Sequence, residues 1–394
     1  MAGIFKYTQL NPVIFGNGAI GCVGEELEKL GCKKLLFVCG PNVTKAGGTI
    51  KAEESLKAKG IEFLYWNEVK PDAPSTLINK AAEFAIKEGC DSVLGIGGGS
   101  CMDLAKAVAL LLDLKETKIE KYLPPPPPTM QPEKVPILLA PTTSGSGSEG
   151  TMVSVITDET TGQKQAIFIH ATIGIIDPEL TLTCPPSVTA QAGFDVMAHC
   201  IESITARDRN PHSELLALSA LRRVRDNLVE CFEHGDNLAA RGEMALASNW
   251  AGLAFVDTDI QLGHATCDSI SATCHTPHGI ECAWVTPELL KIMADYVPVE
   301  IKKIAEAMRV ELTGKETNLE VAEKIGDVIH DMMHQCQVKT LAGYGATKEQ
   351  VVAGAPLIVA ARHLWPKCPV YVDKELTVED AAKFLEAIWD GYKG

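Results

Sequence analysis

The chain has 394 residues, of which 46% are hydrophobic, and it carries a formal net charge of −15. This length is sufficient for two domains of ordinary size, each with its own core. The negative charge argues against nucleic acid or an anionic membrane as a partner, because both would repel it. No segment reaches the roughly 18 apolar residues that a membrane span needs.

The N-terminus and the cysteines indicate a reduced, cytoplasmic protein. The first residues, Met-Ala-Gly-Ile-Phe-Lys-Tyr, lack the charged and apolar regions of a signal peptide. The 13 cysteines are odd in number and include no Cys-x-x-Cys pair, which favours free thiols over a disulfide framework. We interpret Cys200, Cys267 and Cys274 as small buried apolar side chains.

The first half of the chain alternates short β-rich runs with helical patterns. Helical periodicity occurs at residues 78–87 and 101–112. Such alternation predicts a parallel sheet covered by helices. The predicted strands are 34–39, 61–66, 92–96, 135–140 and 173–176.

A run of five prolines at residues 124–128 predicts an exposed, extended connector, although a ligand for a proline-binding module has the same composition. From Pro185 onward strand signals nearly vanish. We therefore predict an N-terminal α/β domain of residues 1–184 and an all-α C-terminal domain of residues 185–394. The predicted C-terminal helices are 188–206, 212–232, 239–254, 298–308 and 318–335.

A glycine-rich turn follows the predicted strand 92–96. Gly97, Gly98, Gly99 and Ser100 lead into a predicted helix, where glycines let backbone amides approach a phosphate and the helix dipole favours negative charge. A tight strand-to-helix turn without a ligand also requires glycine. The Gly-x-Gly-x-x-Gly fingerprint of dinucleotide-binding folds is absent.

Three hydroxyl residues, Thr142, Thr143 and Ser144, follow the predicted strand 135–140. They either bind a cofactor in the crevice beyond the strand ends or form an ordinary polar turn.

Four residues in the second half have the chemistry of a metal site. Asp195 and His199 are four apart, so in a helix they leave the same face. His264 and His278 come from separate elements, because Pro277 interrupts any helix that would contain both. One carboxylate and three imidazoles suit Fe(II) or Zn(II).

Together these segments resemble the iron-containing (group III) alcohol dehydrogenase family. The matching motifs occur in the family's order between residues 12 and 285. In addition to the four candidate ligands, they are Gly97-Gly-Gly-Ser-Cys-Met-Asp-Leu-Ala-Lys106, Pro141-Thr-Thr-Ser-Gly-Ser-Gly-Ser-Glu149 and Asp177-Pro-Glu-Leu180.

The resemblance implies a parallel-sheet dinucleotide-binding domain followed by a helical metal-binding domain, an architecture shared with dehydroquinate synthase. It also implies an NAD(P)H-linked alcohol dehydrogenase or aldehyde reductase that uses Fe(II) or Zn(II), acts on a small alcohol or aldehyde, and assembles as a homo-oligomer, a dimer or higher.

The resemblance implies a set of cofactor-binding positions. These are Gly98, Gly99, Ser100, Asp103, Thr142, Thr143, Ser144, Thr151, Lys164, Leu180 and Thr181. Gly40 is a departure, because many NAD-preferring relatives have an aspartate there. A carboxylate would repel the 2′-phosphate of NADPH and glycine would not, so we expect NADPH to be accepted beside NADH.

Two residues are candidates for proton transfer. Asp268 stands where relatives often have a second histidine, and it could relay a proton, orient ribose hydroxyls or cap a turn. His275 carries an imidazole, a type of group suited to proton transfer, and it is either a second proton carrier or a surface histidine.

The family's pocket implies substrate contacts from Val153, Phe255, Ile260, Arg362 and His363. Arg362 or His363 would receive an anionic aldehyde, unless Arg362 is simply a surface residue. The alternative function is that of a sugar-phosphate cyclase or another lyase of the dehydroquinate synthase-like superfamily. The Asp-x-x-x-His spacing favours the dehydrogenase. A catalytically silent binding protein is a third reading.

Overall fold

A computed structural model describes residues 4–123 and 130–394. The predicted proline connector at residues 124–128 lies outside the described residues. The chain divides into an α/β unit, Thr8–Cys184, and a helical unit that consists of Pro185–Gly394 and the N-terminal residues.

The α/β unit contains a six-stranded, wholly parallel sheet of order β1-β8-β5-β4-β2-β3 and a separate antiparallel hairpin, β6–β7. The strands are β1 (Val13–Phe15), β2 (Lys34–Cys39), β3 (Glu62–Trp66), β4 (Ser92–Gly97), β5 (Ile137–Pro141), β6 (Val153–Asp158), β7 (Gln163–Phe168) and β8 (Ile173–Ile176). The helices are α1 (Val23–Lys29), α2 (Pro41–Lys45), α3 (Ile50–Ala58), α4 (Ser75–Glu88) and α5 (Gly99–Leu114).

The predicted fold class is confirmed, and all five predicted strands are present with ends shifted by at most a few residues. The sequence analysis missed β1 and the hairpin. β1 has three residues, too few for any periodicity to show. Central strands such as β2 are almost wholly buried, because helices cover both faces of the sheet.

The order of the strands creates a switch point at the carboxyl edge of the sheet. From β2 the chain moves to one side to form β3 and then returns to the other side to form β4. In open parallel sheets, ligands bind where the direction of winding reverses. Gly40 follows β2 and Gly98 follows β4, so the two glycines flank this point.

The helical unit packs its helices around one large apolar core. All of the predicted C-terminal helices are present. The helices are α6 (Pro186–Thr205), α7 (Pro211–Glu233), α8 (Leu238–Thr258), α9 (Leu262–Cys274), α10 (His278–Met293), α11 (Pro298–Ala307), α12 (Asn318–Gln335), α13 (Lys348–Val352), α14 (Ala355–Ala360) and α15 (Val378–Gly391). Among the described residues, no helix is long and apolar enough to cross a membrane.

The start of the chain requires a correction to the predicted domain boundary. The ring of Tyr7 stacks on that of His212 in α7, with centroids 4.6 Å apart and an interplanar angle of 9°. Residues 4–7 therefore belong to the helical unit, although the sequence analysis assigned them to the α/β domain. The stack joins residues that are remote in sequence, so no local pattern could reveal it.

Helices α6 and α10 approach each other closely at Gly279. A Cβ atom built on Gly279 would lie 1.9 Å from the carbonyl oxygen of Gln191 in α6. Only glycine fits at this contact, because backbone cannot yield as a flexible side chain can. The contact fixes the start of α10 against α6, the two helices that carry Asp195, His199 and His278.

We expect Gly279→Ala to destabilise the protein by about 2–3 kcal/mol through overpacking, which lowers the Tm by roughly 5–10 °C. The matched control is Gly326→Ala in α12, where the nearest atom to the new Cβ is Pro287 Cβ at an ordinary 3.4 Å. That variant should be neutral or slightly stabilising, since alanine favours a helix interior. Thermal unfolding of both variants checks this, and equal Tm values would contradict it.

Candidate functional site

The four predicted metal ligands converge in the helical unit. Asp195 and His199 lie one turn apart on α6, His264 is on α9, and His278 is the first residue of α10, directly after Pro277. The Nε2 atoms of His199, His264 and His278 lie 3.5, 3.6 and 3.7 Å from Oδ1 of Asp195. Three imidazoles therefore surround one carboxylate oxygen.

A fifth donor that the sequence analysis missed is Cys282. Its Sγ lies 3.8 Å from Oδ1 of Asp195 and 4.0 Å from Nε2 of His278. Donor atoms that all lie within 4.8 Å of one another come from Asp195, His264, His278 and Cys282. His199 is not part of this group. The sequence carried one weak signal for it, the spacing of His278 and Cys282, four residues apart, which places both side chains on one face of a helix.

Carboxylates stand behind two of the imidazoles. Nδ1 of His264 lies 2.7 Å from Oε1 of Glu202. Nδ1 of His278 lies 3.7 Å from Oε2 of Glu281, whose other oxygen accepts a 2.7 Å hydrogen bond from Thr276 Oγ1. A carboxylate only accepts, so in a neutral His264 Glu202 holds the proton on Nδ1 and leaves the Nε2 lone pair facing the cluster. Glu281 faces Nδ1 of His278 at a distance too long for a hydrogen bond. Histidines that bind metals usually have such a partner.

Burial and charge determine the protonation of this cluster. Burial opposes ionisation of Asp195, but the surrounding imidazoles of His199, His264 and His278 hold its pKa below the ordinary value. Burial lowers the pKa of His199 to about 3, so this imidazole is neutral and able to ligate. For His264, burial is outweighed by Glu202, which raises the pKa well above the ordinary value.

The cluster fits a divalent transition metal. Nε2 of His264 is buried without a hydrogen-bond partner, as a nitrogen aimed at a cation would be. Zinc–nitrogen and zinc–sulfur bonds of about 2.0–2.3 Å place the donors of a tetrahedral site about 3.3–3.7 Å apart, close to the distances between the atoms described above. Carboxylate, imidazole and thiol together suit Zn(II), Co(II) or Fe(II) better than Mg(II) or Ca(II).

The glycine-rich turn in the α/β unit joins β4 to α5. Gly98 is the extended N-cap residue of α5, and a Cβ atom there would lie 3.3 Å from Thr143 Oγ1. The backbone amide of Thr142 donates to the carbonyl of Gly97 over 2.9 Å. The loop containing Thr142, Thr143 and Ser144 is thus fixed beside Gly98 and Gly99.

Asp72 brings together two other predicted cofactor positions. Its backbone N–H donates to Ser100 Oγ over 3.0 Å, and its carboxylate pairs with Lys164 Nζ at 2.9 Å. Lys164 lies on β7, far from Ser100 in sequence, so only the fold reveals their proximity.

Asp103 and Thr151 belong to a buried network centred on Lys106. The Nζ of Lys106, which is fully buried, donates to Ser148 Oγ and to the carbonyls of Thr151 and Val153. Ser148 Oγ in turn donates to Asp103 over 3.0 Å. Burial raises the pKa of Asp103 to about 6 and lowers that of Lys106 to about 8. In this structure the network anchors the loop that follows β5.

The remaining cofactor positions differ in exposure. Gly40 has no atom within 4 Å of where its Cβ would be, so there is room at the end of β2. Leu180 and Thr181 are buried in a short 3₁₀ turn, where Thr181 Oγ1 donates to the carbonyl of Pro178 over 2.8 Å. The Leu180 side chain is therefore held by packing, and the Thr181 side chain is held by packing and by this hydrogen bond.

Both candidate proton carriers are exposed. Asp268 lies on α9, one turn after His264. His275 ends α9 in a left-handed conformation with a φ of 55°.

Of the predicted substrate residues, Phe255 is at the donor cluster, its ring centroid 4.5 Å from that of His199. Ile260 packs half-buried against the helical core, and Val153, also half-buried, begins β6 in the α/β unit. Arg362 and His363 are exposed, and Arg362 forms an ion pair with Glu375 at 3.0 Å. The structure therefore places Phe255 beside the candidate metal site and gives Arg362 a partner elsewhere.

Two family models match nearly the whole chain. The model described as iron-containing alcohol dehydrogenase matches residues 11–178, and that of the Fe-containing alcohol dehydrogenase family, C-terminal, matches residues 189–388. The second match extends well beyond residue 285, where the recognisable sequence motifs end.

Individual relatives agree with the family models. The chain is 32% identical to the sulfoacetaldehyde reductase of Bilophila wadsworthia over 91% of this chain and 94% of that one. It is also similar to a crystal structure of 1,3-propanediol oxidoreductase, with a TM-score of 0.91, 27% identity, and 98% and 100% of the two chains covered. The sulfoacetaldehyde reductase of Bifidobacterium kashiwanohense in complex with NAD+ gives a TM-score of 0.87 at 25% identity, covering 98% and 99%.

We expect Glu202→Gln to weaken metal binding roughly 10- to 100-fold, as loss of a partner behind a ligand does. The amide can place an N–H against Nδ1 of His264, which moves the imidazole proton to Nε2 and blocks the lone pair that faces the cluster. Glu281→Gln is the matched variant and should have a smaller effect, because its oxygen is 3.7 Å from His278 Nδ1, against 2.7 Å for Glu202 and His264. Calorimetric titration with Zn(II) measures both, and an unchanged affinity in Glu202→Gln would refute the assignment.

Proposed function

The chain belongs to the iron-containing alcohol dehydrogenase family, and from this premise we propose that it is a metal-dependent, NAD(P)H-linked alcohol dehydrogenase that works mainly as an aldehyde reductase. The observation that supports this most strongly is the convergence of three imidazole nitrogens on Oδ1 of Asp195. The proposed ligands are Asp195, His199, His264 and His278. When bound, the metal would polarise an alcohol or carbonyl oxygen and the nicotinamide would carry the hydride.

The protein's own contribution is to hold the donors in fixed orientations. Asp195 supplies a negative charge that favours a cation at this point. Glu202 orients His264, and Glu281 faces Nδ1 of His278. The ring of Phe255 lies against His199 and provides an apolar wall that keeps water from this side of the cluster. A dry, preorganised site strengthens every electrostatic interaction within it.

The cofactor site that we propose lies at the carboxyl edge of the sheet. The glycines after β4, with the neighbouring loop 142–144, leave backbone amides accessible to a pyrophosphate beside the N-terminus of α5. Gly40 leaves room after β2 on the other side of the switch point. We propose that ribose hydroxyls bind there and that a 2′-phosphate is tolerated.

The exposure of Asp268 and His275 permits either side chain to exchange a proton with solvent. We propose Asp268 as the proton relay, because it lies one turn from His264 on α9. Small aldehydes are the proposed substrates, with Phe255 and Ile260 contributing apolar contacts. The family assignment does not favour the sugar-phosphate cyclase.

The decisive experiment is consumption of NADH and NADPH by protein reconstituted anaerobically with Fe(II) or Zn(II), against short neutral and anionic aldehydes. We expect metal-dependent turnover of at least some aldehydes. His264→Ala should lower kcat/KM by about 100- to 1,000-fold, the usual cost of losing one electrostatic stabiliser. Metal-loaded protein that reduces no aldehyde would contradict the proposal, and phosphate release from a heptulosonate phosphate would favour the cyclase.

Cofactor preference gives a separate test at Gly40. Gly40→Asp should lower kcat/KM for NADPH relative to NADH by at least roughly tenfold, or about 1.4 kcal/mol, because a carboxylate there repels a 2′-phosphate. The backbone of Gly40, with φ −72° and ψ 154°, accepts any residue. Gly40→Asn is the matched control of equal size without charge and should change this ratio much less. A wild-type protein that strongly prefers NADH would refute the hypothesis.

A further inference from the structure

Resting on the proposed function, we propose that the Cys282 thiolate is itself a ligand of the metal and biases the centre toward Zn(II). The sequence pattern of one carboxylate and three imidazoles contains no sulfur donor. The structure adds one, which changes the class of metal that the site should select.

The position of Cys282 on α10 supports this role. It lies one turn after His278, so the two side chains leave the helix on the same face. Cys282 is fully buried. Its sulfur faces polar atoms, with Oδ1 of Asp195 at 3.8 Å and Nε2 of His278 at 4.0 Å. These distances are close to the donor separations expected around one metal ion.

A second thiol stands behind Cys282. The Sγ of Cys267 donates to the Sγ of Cys282 over 3.7 Å. Cys267 lies on α9, three residues after His264, and it is also buried. With Cys282 as a metal-bound thiolate, the S–H of Cys267 would be the hydrogen-bond donor behind it. Cys282 thus has the two neighbours that a ligand has, namely other ligands in front and an orienting partner behind.

The role of an inert core cysteine fits these surroundings less well. Cys282 lies within the apolar core of the helical unit, but its sulfur also contacts a carboxylate, an imidazole and a thiol, which an inert core position does not require. Metal binding would replace the thiol proton, which leaves to solvent as the sulfur–metal bond forms. A soft thiolate favours Zn(II) or Co(II), while carboxylate and imidazole alone bind Mn(II) comparatively well.

Co(II) is the probe that detects the bond directly. Fully reduced protein is titrated with Co(II) under anaerobic conditions, the bound metal is counted, and the near-ultraviolet spectrum is recorded for a thiolate-to-Co(II) charge-transfer band. We expect the wild-type protein to show the band at one Co(II) per chain. Cys282→Ser should bind Co(II) and lose the band. Cys267→Ser is the matched control, equally buried and 3.7 Å away, and it should keep the band.

The selectivity of the site for Zn(II) over Mn(II) provides a second readout. In Cys282→Ser the ratio of Zn(II) to Mn(II) affinity should fall at least roughly tenfold, an effect that loss of even an outer partner can produce. The ratio should fall less in Cys267→Ser, because the serine hydroxyl can still donate a hydrogen bond to the sulfur of Cys282. Competition titrations measure both ratios without recourse to activity.

Several results would overturn the proposal. Co(II) bound without the band would show that sulfur is not a ligand, while leaving the metal site of the proposed function intact. A band that survives in Cys282→Ser and disappears in Cys267→Ser would identify the wrong cysteine. A Cys267–Cys282 disulfide in the reduced preparation, seen as a loss of two hydrogen atoms in mass, would exclude ligation. A folded wild-type protein that binds no Co(II) would refute this inference and the proposed metal site together.

Discussion

The burial of a single carboxylate, Asp195, is the constraint on which the arrangement of the helical unit depends. A charge inside a protein is costly unless opposite charge or strong hydrogen bonds surround it. The chain meets this requirement by bringing imidazoles from α6, α9 and α10 to within 3.7 Å of one carboxylate oxygen. Three helices must therefore meet at one point, and the close contact at Gly279 allows α10 to begin there. The same convergence that satisfies the carboxylate also forms the site that we propose for a cation.

Two further carboxylates lie behind the imidazoles, on the side away from Asp195. Glu202 stands behind His264, and Glu202 itself accepts a hydrogen bond from the backbone N–H of Gln261, at the residue before α9 begins. Glu281 stands behind His278 and is held by Thr276. Glu202 thus connects the proposed ligand His264 to the backbone at the start of α9, and Glu281, which faces the proposed ligand His278, is held close to the start of α10. Orientation of the imidazoles is therefore built into the way that α9 and α10 begin, and a separate binding loop is not required.

The sequence predicted features that depend on neighbouring residues and missed those that depend on remote ones. The limits of β2 and α12 were predicted correctly, since a continuous apolar run determines the first and the capping residue Thr317 with Glu320 determines the start of the second. Asp195 and His199 share a helix face for the same local reason. The roles of Glu202 and Cys282 arise from contacts across 62 and 87 positions, to His264 and Asp195 respectively. Local spacing gives no sign of the contact between Glu202 and His264, and it shows only that Cys282 and His278 could share a helix face.

The features shared with the family and the features particular to this chain contribute differently to its chemistry. The glycine turn after β4 and the convergence on Asp195 point to a class of reaction, because we propose the first as a phosphate cradle and the second as a metal site. Preferences within that class depend on single residues. These are Gly40, which leaves no charge after β2, Asp268 with its exposed carboxylate, and Cys282 with its sulfur. Arg362 illustrates the difference, because its position suggested an anion receptor, whereas Glu375 already balances its charge. A family assignment therefore establishes the type of chemistry, while cofactor, metal and substrate preference must be argued from the contacts of each such residue.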